Sequence, residues 1–488
     1  MERLRNFVQS RSPESLFLWL GIPLVLLFIV IIPAFQGWDE ATHFSRAYQI
    51  STGQFRATKL GAHHYGGPIP INISNMEDTA VTDIIHSAKT NLAWKAHIGY
   101  YKTYLKQTHP DKNIVNKYFA SSAIYSPVSY APQSIGIYLA RSFRFPVLLY
   151  DYVGRVFGAA AFLAMVYFAI RLAPRGKWAL FAIAILPTSL AAAATLSPDA
   201  LLNGAALLLL GAFLNALLSR KTASYKLLLT ILGAILILSL AKQAYFLFAL
   251  LPLLLPPRRV FGSIKRYILW NFIFIAMALI ATFGWYSQIS EISPYTYLES
   301  RPAIHINQHE QQSYILHHPI TYLGTLLWQM FGHFNSKFIE AVGLYTWKGI
   351  VMPYLFIFWI YIGLLIAFIK TRYEQGIDYG LKARQYKLLK YGPIIIGFGT
   401  SVLIFTALYL SFNPVGSQNI EGVTGRYFIP LLPLLIPITI LARKRNKPML
   451  TLSQPLADSV LIAIFIAQNL IAIFVILATN YIPHWQFV

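Results

Sequence analysis

The chain contains no cysteine. Disulfides and cysteine-based metal centres are therefore excluded. Charge is scarce too: Asp, Glu, Lys and Arg make up 12% of 488 residues, where soluble globular domains carry roughly 25%. Acids are the rarer sign, 18 against 40 Lys and Arg. No P-loop or dinucleotide-type glycine motif occurs. There is no internal repeat. His43 with His63/His64, and His305 with His309, match no established metal-ligand spacing, so these read as ordinary loop histidines. What fills the sequence instead is apolar side chain, 56% of all residues. Such a composition belongs to an integral membrane protein, and its basic balance needs no nucleic acid to explain it.

The apolar runs predict an all-α polytopic fold, a single membrane domain over residues 1–488. We count about 11 transmembrane helices: 16–36, 146–170, 178–195, 200–219, 226–241, 244–257, 267–288, 351–370, 391–412, 427–442 and 456–479. The first follows a basic start (Arg3, Arg5, Arg11) and ends without a small-residue cleavage site, so it reads as a retained helix. With the N-terminus cytoplasmic, more than half of the Lys and Arg fall into inside connections, among them 258–266, 370–390 and 443–447. This is the positive-inside pattern. It predicts a multi-pass plasma (inner) membrane protein in contact with anionic lipid. Preserving the pattern requires a break at Lys242–Gln243, with neither half reaching the ~20 residues of a normal span. Lys242 then lies below the outer surface, inside the protein. An ionisable group there is costly and points to function.

Two long connections face outside, 37–145 and 289–350. The first opens on Gly37-Trp38-Asp39-Glu40, at the lip of the first span. A helix over 41–50 would place Asp39, His43 and Arg46 on one face. A carboxylate, an imidazole and a cation at a membrane surface suit chemistry on a lipid-attached substrate. The plainer reading of Asp39 is a helix N-cap. Further on, Ser126-Pro127 reads as a cap followed by Pro at the first helical position. Val128, Ala131, Ile135, Tyr138 and Leu139 then recur at helical spacing. Two helices lying along the membrane are expected here, joined by a polar stretch with His63, His64 and Tyr65. The second loop carries a polar run, 305–313, then an amphipathic stretch with Trp328 and Phe331. It is a candidate mobile lid, or else a solvated loop.

The run Asp39-Glu40-Ala41-Thr42-His43-Phe44-Ser45-Arg46-Ala47-Tyr48 resembles the start of a bacterial membrane family long catalogued only as a domain of unknown function and placed near the GT-C glycosyltransferases. Tyr125-Ser126-Pro127-Val128, Arg155, Pro187, Ser197-Pro198-Asp199, Lys242-Gln243-Ala244-Tyr245 and Gly425-Arg426-Tyr427 continue the resemblance in order. It implies a polyprenyl-phosphate-linked sugar donor and inverting transfer on the outer face. The acceptor would be a glycan, a lipid-linked glycan or a protein. It also implies Asp39 as catalytic base with Glu40 beside it. The second acidic metal motif of some GT-C members is missing, so no cofactor is expected, although a divalent metal is left open.

The residues agree with that chemistry. A hydroxyl acceptor must lose its proton as the new bond forms. The departing polyprenyl phosphate needs fixed positive charge, for which Lys242, Arg426 and Arg155 are candidates. Supporting roles fall to His43, Arg46, Tyr125, Gln243, Tyr245 and Tyr427. Arg155 has a second reading, a buried pair with Asp151 at i, i+4. Asp199 reads first as the cap of the helix over 200–219. Competing classes are a flippase or transporter of lipid-linked saccharides, and an O-antigen-ligase-type or polymerase-type enzyme. Transporters commonly show two related halves, which this chain lacks. Ligases and polymerases would place their key cationic loop late rather than an acid after the first helix.

Overall fold

A computed structural model describes residues 10–61, 63–84, 93–219, 221–297, 305–346, 350–373, 383–441 and 454–482. The basic residues Arg3, Arg5, Arg220 and Arg443–Lys447 of the predicted topology lie outside these, as does the C-terminal end.

Seven described helices are long and apolar enough to cross a membrane: Pro13–Ile31, Leu149–Leu172, Asp199–Leu218, Ile264–Ile289, Tyr354–Thr371, Ala383–Phe412 and Asp458–Tyr481. The chain is thus a largely helical, polytopic membrane protein. Three shorter apolar helices accompany them, Tyr225–Ala241, Gln243–Leu254 and Gly425–Ile440. The predicted span 178–195 is two helices, Lys177–Ala184 and Pro187–Ala193. Pro187 starts the second of these, as expected of a residue without an amide hydrogen. Both are buried, and they pack beside Phe17, Phe28 and Phe162 in the main apolar core.

The break at Lys242 is present. Tyr225–Ala241 is an α-helix, Lys242 is extended (φ −149°, ψ 122°), and Gln243–Leu254 is a 3-10 helix. A second long 3-10 stretch runs over Gly425–Leu434, with Pro430 and Pro433 inside it. Runs of this length are unusual, because 3-10 hydrogen bonds are poorly aligned. Both begin beside a cation, Lys242 and Arg426.

The first long loop departs from an all-helical expectation. It holds a three-stranded antiparallel sheet: β1 (Thr58–Lys59), β2 (Tyr65–Pro70) and β3 (Ile114–Tyr118). Gly66 pairs with Tyr118 and Pro70 with Ile114. The expected histidine stretch lies here: Tyr65 begins β2, and His63 stacks on Tyr295 of the second loop at 4.1 Å. Helix Glu40–Ser51 packs beneath, burying Phe44, Ala47 and Tyr48 in a second core. The stretch after Ser126 is a 3-10 turn, Pro127–Tyr130, continued by helix Ala131–Ser142. Its recurring apolar residues face outward: Ile135 and Tyr138 are exposed, while Gln133, Ser134 and Gly136 face in.

Candidate active site

Four helices begin along a chain of ion pairs, Asp39–Arg426–Asp199–Lys242, at one end of which Asp39 lines a cleft of about 440 Å³. They are Glu40–Ser51, Asp199–Leu218, Gln243–Leu254 and Gly425–Leu434. Helix N-termini carry unpaired amide hydrogens and partial positive charge. Asp39, Asp199, Lys242 and Arg426 stand at these four starts.

Asp39 occupies the N-cap position but caps nothing. Its side chain makes no capping hydrogen bond, and its backbone is left-handed (φ 52°). Aspartate is among the few residues that tolerate this conformation. The strained turn directs the carboxylate away from the helix and toward Arg426, whose Nη2 donates to Oδ2 at 3.0 Å. The Asp39 side chain is 61% exposed, open to the cleft mouth and walled in elsewhere. Desolvation by these walls is the largest single influence and opposes ionisation, but the Arg426 charge, the nearby His43 and the Arg426 hydrogen bond together outweigh it. The carboxyl is held below its usual range.

Arg426 is buried and sits between two rings, Trp38 at 5.1 Å and Tyr427 at 5.3 Å. Its Nε lies 3.5 Å from Asp199 Oδ2. Its Nη1 and Nε form no hydrogen bond among the described residues. Buried guanidinium hydrogens are ordinarily satisfied; Nε faces the Asp199 carboxylate, which leaves Nη1 as the donor with room for a further acceptor. Lys242 Nζ donates to Asp199 Oδ1 at 2.6 Å and lies 4.2 Å from the Tyr427 ring centre. Asp199 therefore gathers both cations. It is the first helical residue, not the cap, which is Pro198. Tyr245 donates to the Tyr427 carbonyl at 2.6 Å, tying the two 3-10 helices together. Gln243, half-buried, opens the first of them.

Other predicted residues divide sharply. His43 and Tyr125 line the cleft. The His43 Nδ1 lies 2.7 Å from the Tyr130 hydroxyl, and burial pushes the imidazole down to about 4, so it is neutral at pH 7. Arg46 does not serve Asp39. It is fully buried and donates to Gln49 Oε1 and to the Phe55 carbonyl, pinning the loop after its helix. The cation beside Asp39 is Arg426, 387 residues away in sequence.

Glu40 also lines the cleft, but its carboxylate and Arg155 are committed to each other. Arg155 donates to both Glu40 oxygens, at 2.8 and 2.7 Å, and pairs with Asp151 at 2.9 Å. It also donates to the carbonyls of Ile29, Ile32 and Pro33, closing the end of the first span. The Glu40 carboxylate additionally accepts from the amides of Gly37 and Leu196. Gly37 has no room for a side chain: a Cβ there would meet Thr195 at 2.6 Å. All this binds the first span, the second span and the approach to Asp199 into one unit. Arg155 has no donor left for a phosphate.

Sequence reasoning missed Trp38, Tyr297 and Phe412. Trp38 stood in the opening motif. Tyr297 and Phe412, in edge-to-face contact at 4.7 Å, form a cleft wall that no local pattern announces.

These features coincide with a family assignment. The chain belongs to the predicted membrane protein family DUF2142, whose model matches residues 23–435. The match takes in Asp39, Asp199, Lys242 and Arg426. No curated protein and no solved structure matches the chain. Among the described residues no group of three or more His, Cys, Asp or Glu is placed to hold a metal ion.

Proposed function

We propose that this DUF2142 member is an inverting glycosyltransferase of GT-C type, using a polyprenyl-phosphate sugar on the outer face of the membrane. The observation that carries the reading is Arg426. One guanidinium nitrogen holds the carboxylate of Asp39, Nε faces Asp199, and the buried Nη1 has no hydrogen-bond partner among the described residues. A phosphate there would also meet Lys242 and the amide ends of three helices. Asp39, Asp199, Lys242 and Arg426 sum to zero charge when His43 is neutral. The helix ends then supply the excess positive potential that an incoming phosphate requires.

In this scheme the acceptor hydroxyl approaches through the cleft mouth. Its oxygen forms a bond to the anomeric carbon from the side opposite the phosphate. Asp39 takes its proton, and the bonding pair of the breaking C–O bond leaves on the polyprenyl phosphate. Arg426 and Lys242 stabilise that developing charge. Glu40 and Arg155 act as positioning groups, not as base or phosphate ligand. Lipid delivery fits a cleft at the ends of apolar helices. The same reading takes the four short or broken apolar segments as further crossings, giving about eleven, with the N-terminus cytoplasmic.

The test is donor binding by the purified full chain. Wild type should bind a polyprenyl monophosphate and consume a sugar-loaded donor, and Arg426→Ala should lose binding. Equal binding by the two proteins, or none by either, overturns the proposal.

A further inference from the structure

Over residues 316–331 the second long loop is built inside-out for a water-facing segment. Its most exposed large side chains there are apolar, Ile320 at 85%, Leu316 at 79%, Trp328 at 63% and Phe331 at 63%, with His317, His318 and Thr321 exposed among them and the other exposed polar residues lying toward the ends of the loop. Several of the loop's inward contacts are polar, beside the buried Leu326. Gln311 donates to the Tyr409 carbonyl at 3.2 Å, Tyr322 and Thr406 share a hydrogen bond of 2.6 Å, and Gln329 donates to Asn419 at 3.1 Å. A helix facing water shows the reverse arrangement. No Asp, Glu, Lys or Arg occurs from 311 to 336.

Two contacts give its depth. Helix Tyr354–Tyr373 has 20 residues, about 30 Å, which matches the hydrocarbon thickness of a bilayer. Tyr361, which donates to the Phe338 carbonyl and stacks on the Phe338 ring at 3.7 Å, lies about 10 Å in from its cleft-side end. Thr406, the partner of Tyr322, lies about 9 Å in from Phe412, the cleft-side end of Ala383–Phe412. The two depths agree. Helix Pro319–Leu327 (9 residues) runs on as a π-helical stretch of 5 residues, Trp328–Gly332, and together they fall short of the ~20 residues of a crossing.

We infer that segment 316–343 is immersed in the cleft-side leaflet, its apolar outward side chains covered by lipid acyl chains. The face is continuous with lipid-facing surface on the adjoining spans, where Tyr354, Leu355 and Phe358 are 60% exposed or more. An unsatisfied polar group would be expensive at this depth, which accounts for the polar side chains turning inward. The immersed segment also reaches the site. Its last helix, Phe334–Gly343, lies directly behind Arg426, with Glu340 Oε2 accepting from the Gly425 amide at 2.9 Å. A Cβ on Gly425 would meet Ala341 N and Lys337 O at 2.3 Å. Membrane contact and the proposed phosphate-binding arginine are thus one side chain layer apart. The inference concerns the membrane surface and stands apart from the proposed chemistry.

The cysteine-free chain allows a direct test. Ile320→Cys, Leu323→Cys and Trp328→Cys are each spin-labelled in the full chain, reconstituted in lipid nanodiscs. Lys112→Cys, on the exposed part of the first loop, is the aqueous control. Collision with lipid-soluble oxygen should dominate at 320, 323 and 328, and collision with a water-soluble nickel chelate at 112. Leu316→Cys replaces any variant whose thermal melt departs from wild type. Nickel accessibility at 320 and 323 equal to that at 112 overturns the inference in favour of a solvated lid. Shielding from both reagents overturns it in favour of a second protein surface.

Discussion

Asp39→Asn should separate binding from transfer in opposite directions. Asn also tolerates a left-handed backbone, and no capping bond is lost because Asp39 makes none. The variant should therefore fold. Losing a general base costs ~10²–10⁴-fold in rate. Donor binding should improve. A phosphate on the unused Nη1 of Arg426 would stand about 5 Å from the Asp39 carboxylate, and two unit charges at that distance repel by ~0.8 kcal/mol in water and ~3 kcal/mol at an effective dielectric of 20. The Asp39 side chain is 61% exposed, so solvent screening places the value near the lower limit, about 1 kcal/mol. That is roughly a five-fold tighter dissociation constant for polyprenyl phosphate in the Asn variant. Isothermal titration in detergent or nanodiscs measures it, alongside turnover of a sugar-loaded donor. Weaker phosphate binding by Asp39→Asn would refute the competition argument and mean that Asp39 chiefly holds Arg426 in place. Wild-type turnover would remove Asp39 as the base.

Arg426→Lys should bind polyprenyl phosphate roughly 10-fold less well, because an ammonium reproduces neither the fork of donors nor the stacking between Trp38 and Tyr427; titration checks it. Arg155→Ala should instead remove folded protein from the membrane fraction, since stranding a buried ionic partner costs ~3–5 kcal/mol; a folded Arg155→Ala variant with specifically weakened donor binding would return Arg155 to the site. Burial raises Glu77 from 4.5 to about 7 against its Lys117 and Ser45 partners. Between those values the folded state holds the proton more tightly, so this group's contribution to stability falls as pH rises from 4.5 to 7. His43, lowered from 6.5 to about 4 by burial, has the opposite sign: its contribution is complete above 6.5 and is lost as pH falls toward 4. Glu77→Gln should accordingly leave the His43 slope alone, and its Tm should rise between pH 5 and pH 8 more than that of wild type. On the topology, Gln418→Cys should react with an impermeant maleimide only from outside the cell, and Gly262→Cys only after permeabilisation.

The membrane class and the break at Lys242 were legible because each rests on a one-dimensional constraint. An apolar run must reach ~20 residues to cross, and basic connections must stay inside. Helix Glu40–Ser51 and the end residues of its motif were legible for the same reason. The sheet was not. Its middle strand reads Tyr-Gly-Gly-Pro-Ile-Pro, and glycine and proline argue against a strand. It persists because β3 pairs along its length and helix Glu40–Ser51 lies against it. The partner of Asp39 was misread for a related reason. Helical spacing proposed Arg46, a local neighbour, but side-chain direction followed tertiary demand: Arg46 was drawn to the Phe55 carbonyl. Asp199 looked like a cap because caps are local, whereas its two cations arrive from segments 43 and 227 residues further on.

The contacts of Glu40 show how a site can depend on a residue held by structural bonds. Its two oxygens accept from Gly37, Arg155 and Leu196. Gly37 lies two residues before Asp39, and Leu196 three before Asp199. One carboxylate therefore fixes the distance between the two acids that flank Arg426. Glu40→Gln would leave an amide nitrogen facing only donors in a buried, low-dielectric setting, which costs on the order of 1–3 kcal/mol. The expected result is a folded but loosened protein in which donor affinity and turnover fall together, and in which Tm falls as well. Asp39→Asn, by contrast, should lower turnover while donor binding tightens. If Glu40→Gln kept wild-type Tm and donor affinity while losing turnover, Glu40 would be the base, and Asp39 the residue that positions Arg426.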